Sequence, residues 1–90
     1  MPRKEKVTKV IDGYSFLTDK RKNAVRLATV DTPQQGEPGY RQAKSKLAGL
    51  IWRKEVTIDT KARDSHGRSV ANVKLGQKSV NKEMKKYEKK

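Results

Sequence analysis

A single arginine interrupts an apolar run that leads into an acidic turn. Arg26 follows Val25, and the run ends in Asp31-Thr32-Pro33. Arginine is rarely buried without a partner, so its presence in such a run needs an explanation. A guanidinium binds phosphate oxygens in pairs, and a carboxylate can hold a hard cation. The alternative is an arginine at a strand edge with its head group in water.

Two further stretches carry residues suited to the same chemistry. One contains Asp12, Gly13 and Tyr14, between two apolar segments. The other is the polar stretch 64–68, which ends in Arg68. Together with Arg26 they indicate one site that handles phosphate, and they leave open whether it keeps all its catalytic parts.

The length and composition limit the class of protein. Ninety residues predict a single domain over 1–90 with a modest core, and the basic stretches 1–6 and 88–90 are expected to be flexible ends. The chain has no cysteine, which excludes disulfides, thiolate metal sites and thiol nucleophiles. Its single histidine excludes a His-rich zinc site and leaves little room for a His-based triad.

The net charge of +13 is the strongest feature of the composition. So large a positive charge on a small domain attracts polyanions, and nucleic acid is the usual partner. The alternative is a lysine-rich surface that serves solubility or thermal stability. No apolar run approaches the roughly 18 residues of a membrane span, and no signal peptide is recognisable. We therefore expect a soluble chain, with the cytoplasm as the default compartment.

The hydrophobic pattern predicts five short strands and two helices. Pro38 suits the first turn of a main helix, which ends near Ile51-Trp52. A short helix at 82–87 follows a cap at residues 79–81. The strands are predicted at 7–11, 14–18, 24–30, 55–60 and 69–75. This order indicates a mainly β (α+β) fold, the five-stranded Greek-key OB-fold barrel with a helix between strands three and four. An open twisted sheet with one covering helix is the competing architecture.

Five motifs in this order resemble the thermonuclease family, typified by staphylococcal nuclease. The resemblance extends from about Lys6 to Met84, and it implies an OB-fold barrel and a calcium-dependent phosphodiesterase acting on DNA and RNA. The motifs are Val10-Ile11-Asp12-Gly13, Val25-Arg26-Leu27, Asp31-Thr32-Pro33, Asp64-Ser65-His66-Gly67-Arg68 and Val80-Asn81.

The resemblance assigns expected roles to five of these residues. Arg26 and Arg68 match the two arginines that contact the phosphoryl group in the family. Asp31 matches a carboxylate ligand of Ca²⁺, and Thr32 matches a ligand through its backbone carbonyl. Asp12 matches a nearby acid that acts through water.

Three positions depart from the family pattern. Tyr14 stands where a second calcium carboxylate is expected, and a phenol is a poor Ca²⁺ ligand, so calcium binding is expected to be weak or lost. Gln34 stands where the catalytic base is expected, and an amide cannot take a proton from water at neutral pH. His66 stands where the family often has a tyrosine beside the substrate phosphate. It contacts a phosphate or base, or it is an exposed loop histidine.

These departures favour a nucleic-acid-binding domain with little or no cleavage. Arg26, Arg68, His66 and Tyr14 are its expected contacts, with low sequence specificity for DNA or RNA, and the chain is expected to be a monomer. Tyr14 either stacks on a base or packs on the barrel rim. The alternative is an active metal-dependent nuclease, in which the two aspartates hold a cation and Gln34 positions water. A protein-interaction module is a third possibility, which the basic surface does not favour.

Overall fold

The computed structural model describes residues 3–88. Eight elements follow one another along the chain, with the main helix between the third and fourth strands. They are β1 (Arg3–Val10), β2 (Ser15–Thr18), β3 (Val25–Leu27), α1 (Tyr40–Ile51), β4 (Glu55–Arg63), β5 (Ser69–Leu75), β6 (Lys78–Ser79) and α2 (Val80–Lys85).

The first five strands form a closed barrel. Their order is β3-β2-β1-β4-β5, and a parallel pairing of β3 with β5 closes the circle. We call this pairing, Val25–Leu27 against residues 69–71, the seam. The two-residue β6 adds a short hairpin to β5 outside the barrel. The predicted five-stranded OB-fold barrel with its two helices is confirmed.

A bulge in β1 decides which of its side chains face the core. The register against β2 shifts between Val7 and Lys9, where the strand gains one extra residue. Val7 and Val10 are buried as a result, whereas Thr8 and Lys9 are exposed. Without the bulge, strict alternation would have turned Lys9 inward.

The core lies inside the barrel and beneath α1. The helix contributes Ala43, Leu47 and Ile51, which are spaced four residues apart and are completely buried. α2 adds Val80 and Met84 from the other end of the chain. The core-facing strand residues include Val7, Phe16, Val25, Leu27, Val56, Ile58, Ala71 and Val73.

Several predicted boundaries were wrong. The expected flexible arm over residues 1–6 is a strand from Arg3 onward, because residues 3–6 pair with 55–58 of β4. The predicted third strand, 24–30, ends at Leu27, and Thr29 adopts a positive φ of 60° that no strand accommodates. The predicted short helix begins at Val80 rather than at residue 82. Residues 1–2 and 89–90 of the predicted flexible ends lie outside the described residues.

Two buried polar residues tie the barrel together. Glu5 is 2 % exposed and accepts hydrogen bonds from Thr18 (2.7 Å) and from the guanidinium of Arg21 (2.8 Å). That guanidinium also donates to the Ser69 hydroxyl, which links β1 to β5 across the barrel end. On the other side, the Asn81 amide donates to two carbonyls and accepts from a backbone N–H. It fastens α2 to the seam.

Within residues 3–88, neither helix has the length and apolar character needed to cross a membrane.

Candidate functional site

Arg26 lies on the closing strand β3, and its guanidinium has two partners within the protein. It sits 4.9 Å from the centre of the Tyr14 ring. Its Nη1 also donates a hydrogen bond to the Leu27 carbonyl at 3.2 Å. A guanidinium over an aromatic face is stabilised by the ring quadrupole. The half-buried Arg26 is therefore an oriented cation rather than a strand-edge side chain with its head in water.

Tyr14 packs inside the barrel end instead of projecting from it. Its side chain is 9 % exposed and belongs to the hydrophobic core cluster. The turn before it is held by Asp12, whose Oδ1 accepts from the Tyr14 N–H (3.0 Å) and the Ser15 hydroxyl (2.8 Å). Of the two placements considered for Tyr14, the structure shows the packed one. Little of the ring remains for a base to stack on.

Asp31 and Thr32 follow the seam and differ sharply in exposure. The Asp31 side chain is exposed, and its backbone N–H donates to a carboxylate oxygen of Glu88 at 3.0 Å. Thr32 is completely buried, and its Oγ1 has no hydrogen-bond partner among the described residues. A Cβ on Gly13 would lie 2.6 Å from that oxygen and 2.6 Å from the Cβ of Ala43. The absence of a side chain at Gly13 is what lets this turn approach Thr32 and α1.

Gln34 is an exposed residue in the turn that leads to α1. Its backbone N–H donates to Glu37 Oε1 at 2.6 Å, and its carbonyl accepts from the Glu37 N–H at 2.9 Å. Glu37, the next acid after Gln34 in the chain, thus helps to shape this turn. Two clefts adjoin the same segment, one lined by residues that include Gln35 and Tyr40 and the other by residues that include Pro33 and Tyr87.

The loop that carries Arg68 is organised by Asp64. Asp64 Oδ2 accepts from Arg68 Nε at 2.6 Å, while Oδ1 accepts from the backbone N–H groups of His66 and Arg68, each at 2.9 Å. Gly67 supplies the positive φ of 78° that the turn requires. Burial acts to raise the pKa of Asp64, but the hydrogen bonds from Arg68 and His66 outweigh it and the pKa is lowered. The His66 side chain is exposed.

The fold places the two predicted arginines near the seam, Arg26 on β3 and Arg68 in the loop directly before β5. Arg26 pairs in register with Val70 across the seam, and Arg68 lies two residues before Val70 in the chain. Sequence reasoning missed the role of Asp64 as the partner of Arg68. An aspartate four residues before an arginine, with a glycine between them, was the available signal.

The acidic residues Asp12 and Asp31 lie in neighbouring segments, but they do not form a cluster of metal ligands. Contact between the Gly13 position and Thr32 places the turn at Asp12 beside the segment that follows Asp31. Within residues 3–88, no three His, Cys, Asp or Glu side chains form a group that could hold a metal ion.

The closed five-stranded barrel, with its main helix between β3 and β4, places the chain in the class of small OB-fold domains. A family model described as "Staphylococcal nuclease homologue" matches residues 24–87, most of the chain. The chain belongs to this family. The matched range includes Arg26, Gln34 and Arg68, whereas Asp12 and Tyr14 precede it.

Three curated proteins are similar to this chain. Protein ParB of Escherichia coli is 35% identical over 69 residues, which are 74% of this chain and 39% of that protein. Micrococcal nuclease of Shigella flexneri is 33% identical over 69 residues, 74% of this chain and 40% of its own length. An uncharacterized endonuclease of Haemophilus influenzae is 32% identical over 82 residues, which are 88% of this chain and 46% of that protein. The chain spans less than half the length of each of these relatives.

Proposed function

We propose that this chain is a nucleic-acid-binding barrel of the staphylococcal nuclease family with little or no phosphodiesterase activity. The observation that carries the proposal is the Tyr14 ring beneath the Arg26 guanidinium, 4.9 Å away. At this position the family pattern described above has a carboxylate that binds the metal. An aromatic ring there orients the arginine, but it supplies no charged oxygen.

The remaining donors do not make a complete calcium site. Ca²⁺ takes six to eight oxygen ligands, several of them from carboxylates. Asp12 and Asp31 supply two carboxylates, and one oxygen of Asp12 already accepts two hydrogen bonds within its own turn. The Thr32 carbonyl would add one neutral oxygen. These residues do not fit a resident Ca²⁺, and we assign no step to one.

Gln34, at the position expected for the catalytic base, also supports a chain with little or no phosphodiesterase activity. Its amide can orient a water molecule, but it cannot accept the proton that attack on phosphorus would release. Glu37 is held by its contacts with the Gln34 backbone, in the turn before α1. Loss of the base and loss of a metal ligand are separate defects, and either one is expected to lower the rate by orders of magnitude.

The groups that serve binding are retained. Arg26 lies on β3 and Arg68 directly before the neighbouring strand β5, and the whole chain carries a net charge of +13. Arginine makes paired hydrogen bonds to phosphate oxygens, which carry no information on base sequence. The ligand class is therefore single- or double-stranded nucleic acid, bound with low sequence specificity by a monomer. His66, exposed in the Arg68 loop, is a further candidate contact.

A second candidate is an active metal-dependent nuclease. Two of the similar proteins are named as a nuclease and an endonuclease, which favours this alternative. In that case Asp12 and Asp31 would bind a cation together with the substrate phosphate, and Gln34 would position the water molecule.

The decisive experiment measures DNA cleavage with Ca²⁺, Mg²⁺ or Mn²⁺ for the natural chain and for the double variant Tyr14→Asp/Gln34→Glu. We expect no cleavage by the natural chain and EDTA-sensitive cleavage by the double variant, abolished again by Arg26→Ala. The pair Tyr14→Phe/Gln35→Glu is the matched control, since it adds an acid beside the base position and no metal ligand. Metal-dependent cleavage by the natural chain would overturn the proposal in favour of the active nuclease.

A further inference from the structure

Trp52 is an exposed aromatic residue that the phosphate site does not use. It follows the last residue of α1 and is 50 % exposed, the one large hydrophobic side chain of residues 3–88 that lies open to solvent. It is also the only tryptophan in the sequence. A tryptophan this exposed in a chain with a small core is a candidate contact surface.

The turn that presents Trp52 is firmly held. The backbone N–H of Trp52 donates to the Ala48 carbonyl at 2.9 Å. The backbone N–H of Lys54 donates to the Ile51 carbonyl, also at 2.9 Å. Two further hydrogen bonds join this turn to β1: the Val7 N–H donates to the Lys54 carbonyl, and the Val7 carbonyl accepts from the Arg53 N–H. The backbone that carries the indole is therefore fixed by the barrel and is not a loose loop.

Arg53 adopts a strained backbone conformation in this turn. Its φ of 61° lies in the left-handed region that favours glycine. In this conformation its guanidinium lies 4.6 Å from the centre of the Trp52 ring. A residue kept in an unfavourable conformation at an exposed aromatic surface is a reason to look for function there.

Several lysines lie on the segments that adjoin the turn at Trp52. Lys54 follows Arg53 directly, and β1 presents Lys4 and Lys6 on its outer side, where they pair in register with positions 57 and 55 of β4. The acids nearby are Glu55 and Asp19, which lie beside Lys6. Lysine is depleted at protein–protein interfaces, whereas aromatic rings among cations are the usual platform for single-stranded nucleic acid.

We propose that Trp52, Arg53 and Lys54 form a stacking platform for a base of single-stranded nucleic acid, with Lys6 beside it for the adjoining phosphate. This inference rests on the proposed function, because it names a second contact for the same class of ligand. The platform joins β1 to β4, whereas Arg26 and Arg68 lie at the seam between β3 and β5. In the circular strand order these are opposite sides of the barrel.

The unique tryptophan gives a direct readout. We would titrate the full chain with a fluorescein-labelled single-stranded oligonucleotide at low salt, following the label's anisotropy, and with the same oligonucleotide unlabelled, following Trp52 emission. We expect Trp52 emission to be quenched in parallel with the rise in anisotropy, and high salt to reverse both changes. Trp52→Leu should weaken binding between about 5- and 150-fold, the range measured for loss of one stacked base.

Charge variants separate the platform from general electrostatic attraction. Lys54→Ala should weaken binding more than Lys85→Ala, which removes the same charge from an exposed position on α2. The Arg26→Ala/Arg68→Ala pair should bind more weakly and still quench Trp52. Arg53→Gly should bind more weakly with an unchanged or raised unfolding midpoint, because glycine relieves the backbone strain.

The outcomes distinguish this inference from the proposed function. Oligonucleotide binding with unchanged Trp52 emission and full affinity in Trp52→Leu would overturn the platform and leave the proposed function standing. No binding by any variant at low salt would overturn both. A blue shift of Trp52 emission with rising protein concentration alone, and none with oligonucleotide, would assign this face to a second copy of the chain and overturn the platform.

Discussion

Arg26 and Arg68, the two arginines of the proposed phosphate site, are held by different kinds of partner. Arg26 rests on the neutral ring of Tyr14, which leaves its charge uncompensated. Arg68 is paired with the Asp64 carboxylate at 2.6 Å, so a phosphate has to share it with an acid. We therefore infer that Arg26 contributes more to anion binding than Arg68 does.

Asn81 is a single residue on which the attachment of α2 depends. Its Oδ1 accepts from the Val73 N–H at 2.8 Å, and its amide donates to the carbonyls of Ala28 and Ala71. Asn81→Ala should lower the free energy of unfolding by about 2–3 kcal/mol, because it leaves the buried N–H of Val73 without an acceptor. Urea denaturation would measure this. Asn72→Ala, an exposed neighbour on β5, should change it by less than about 0.5 kcal/mol, and equal effects would contradict the assigned role.

Glu5 makes the stability of the barrel depend on pH. Burial acts to raise the pKa of Glu5, but hydrogen bonds from Arg21 and Thr18 outweigh it, so the pKa lies below its ordinary value of 4.5. The ionised carboxylate therefore stabilises the fold fully above pH 4.5, and this contribution is lost as the pH falls through the lowered pKa. Glu5→Gln should lower the stability at pH 7 by about 1–3 kcal/mol and have a smaller effect in acid.

Unfolding midpoints of Glu5→Gln and the natural chain between pH 2 and 7 would test this. The exposed Glu55→Gln on β4 is the matched control and should not alter the pH profile. A constant difference between Glu5→Gln and the natural chain across that range would contradict the ionised pairing with Arg21.

At the scale of elements, the packing of α1 against the first turn depends on Gly13. A methyl group there would meet Ala43 and Thr32, each at 2.6 Å. Gly13→Ala should therefore lower the free energy of unfolding by about 1–3 kcal/mol. Gly49→Ala is the matched control, since nothing lies within 4 Å of a Cβ on this α1 glycine. It should stabilise the chain by up to about 1 kcal/mol. Thermal unfolding of both variants would decide, and destabilisation by Gly49→Ala alone would contradict the structure.

The sequence predicted the elements well wherever an apolar period was regular. The clean four-residue spacing of Ala43, Leu47 and Ile51 located the body and the C-terminal end of α1. Its start was predicted two residues early, at Pro38, because a proline suits the first turn of a helix. The prediction from apolar spacing failed for the start of β1, because residues 3–6 are polar and form a strand only through their pairing with β4. Glu5 looked like part of a solvated arm, since its buried partner Arg21 lies in a distant loop.

The site was predictable in composition but not in arrangement. Arg26 and Arg68 were identified from short motifs, and the seam pairs the strand of Arg26 with the strand that begins directly after Arg68. The sequence could not tell whether Tyr14 faced a ligand or the core, because its orientation depends on the turn fixed by Asp12. The platform at Trp52 escaped notice because a tryptophan at a helix end reads as part of the core until its exposure is known.

For the whole molecule, the net charge of +13 predicts how binding responds to salt. Each phosphate contacted on a single strand steepens the decline of log K with log salt by about 0.7. Arg26→Ala/Arg68→Ala should therefore reduce that slope by about 1.4 and weaken binding similarly for oligonucleotides of different sequence. Titrations at several salt concentrations would measure this. If Arg41→Ala, an exposed arginine of α1, changed the slope by as much as either single variant, binding would be diffuse rather than local.

The shortest of the five barrel strands, β3, closes the barrel. Ligand binding near this strand is therefore linked to local opening of the seam. The seam amides of Ala28 and Ser69 donate to the carbonyls of Ala71 and Ala24, which joins parts of the chain that are distant in sequence. Such non-local pairings form late in folding and open readily, so exchange of these amides with deuterium is expected to be faster than in β4. Phosphates of one strand that contact Arg26 and Arg68 would bridge the two edges that have to separate. Nucleic acid is then expected to slow the local opening of the barrel at the strand that carries Arg26.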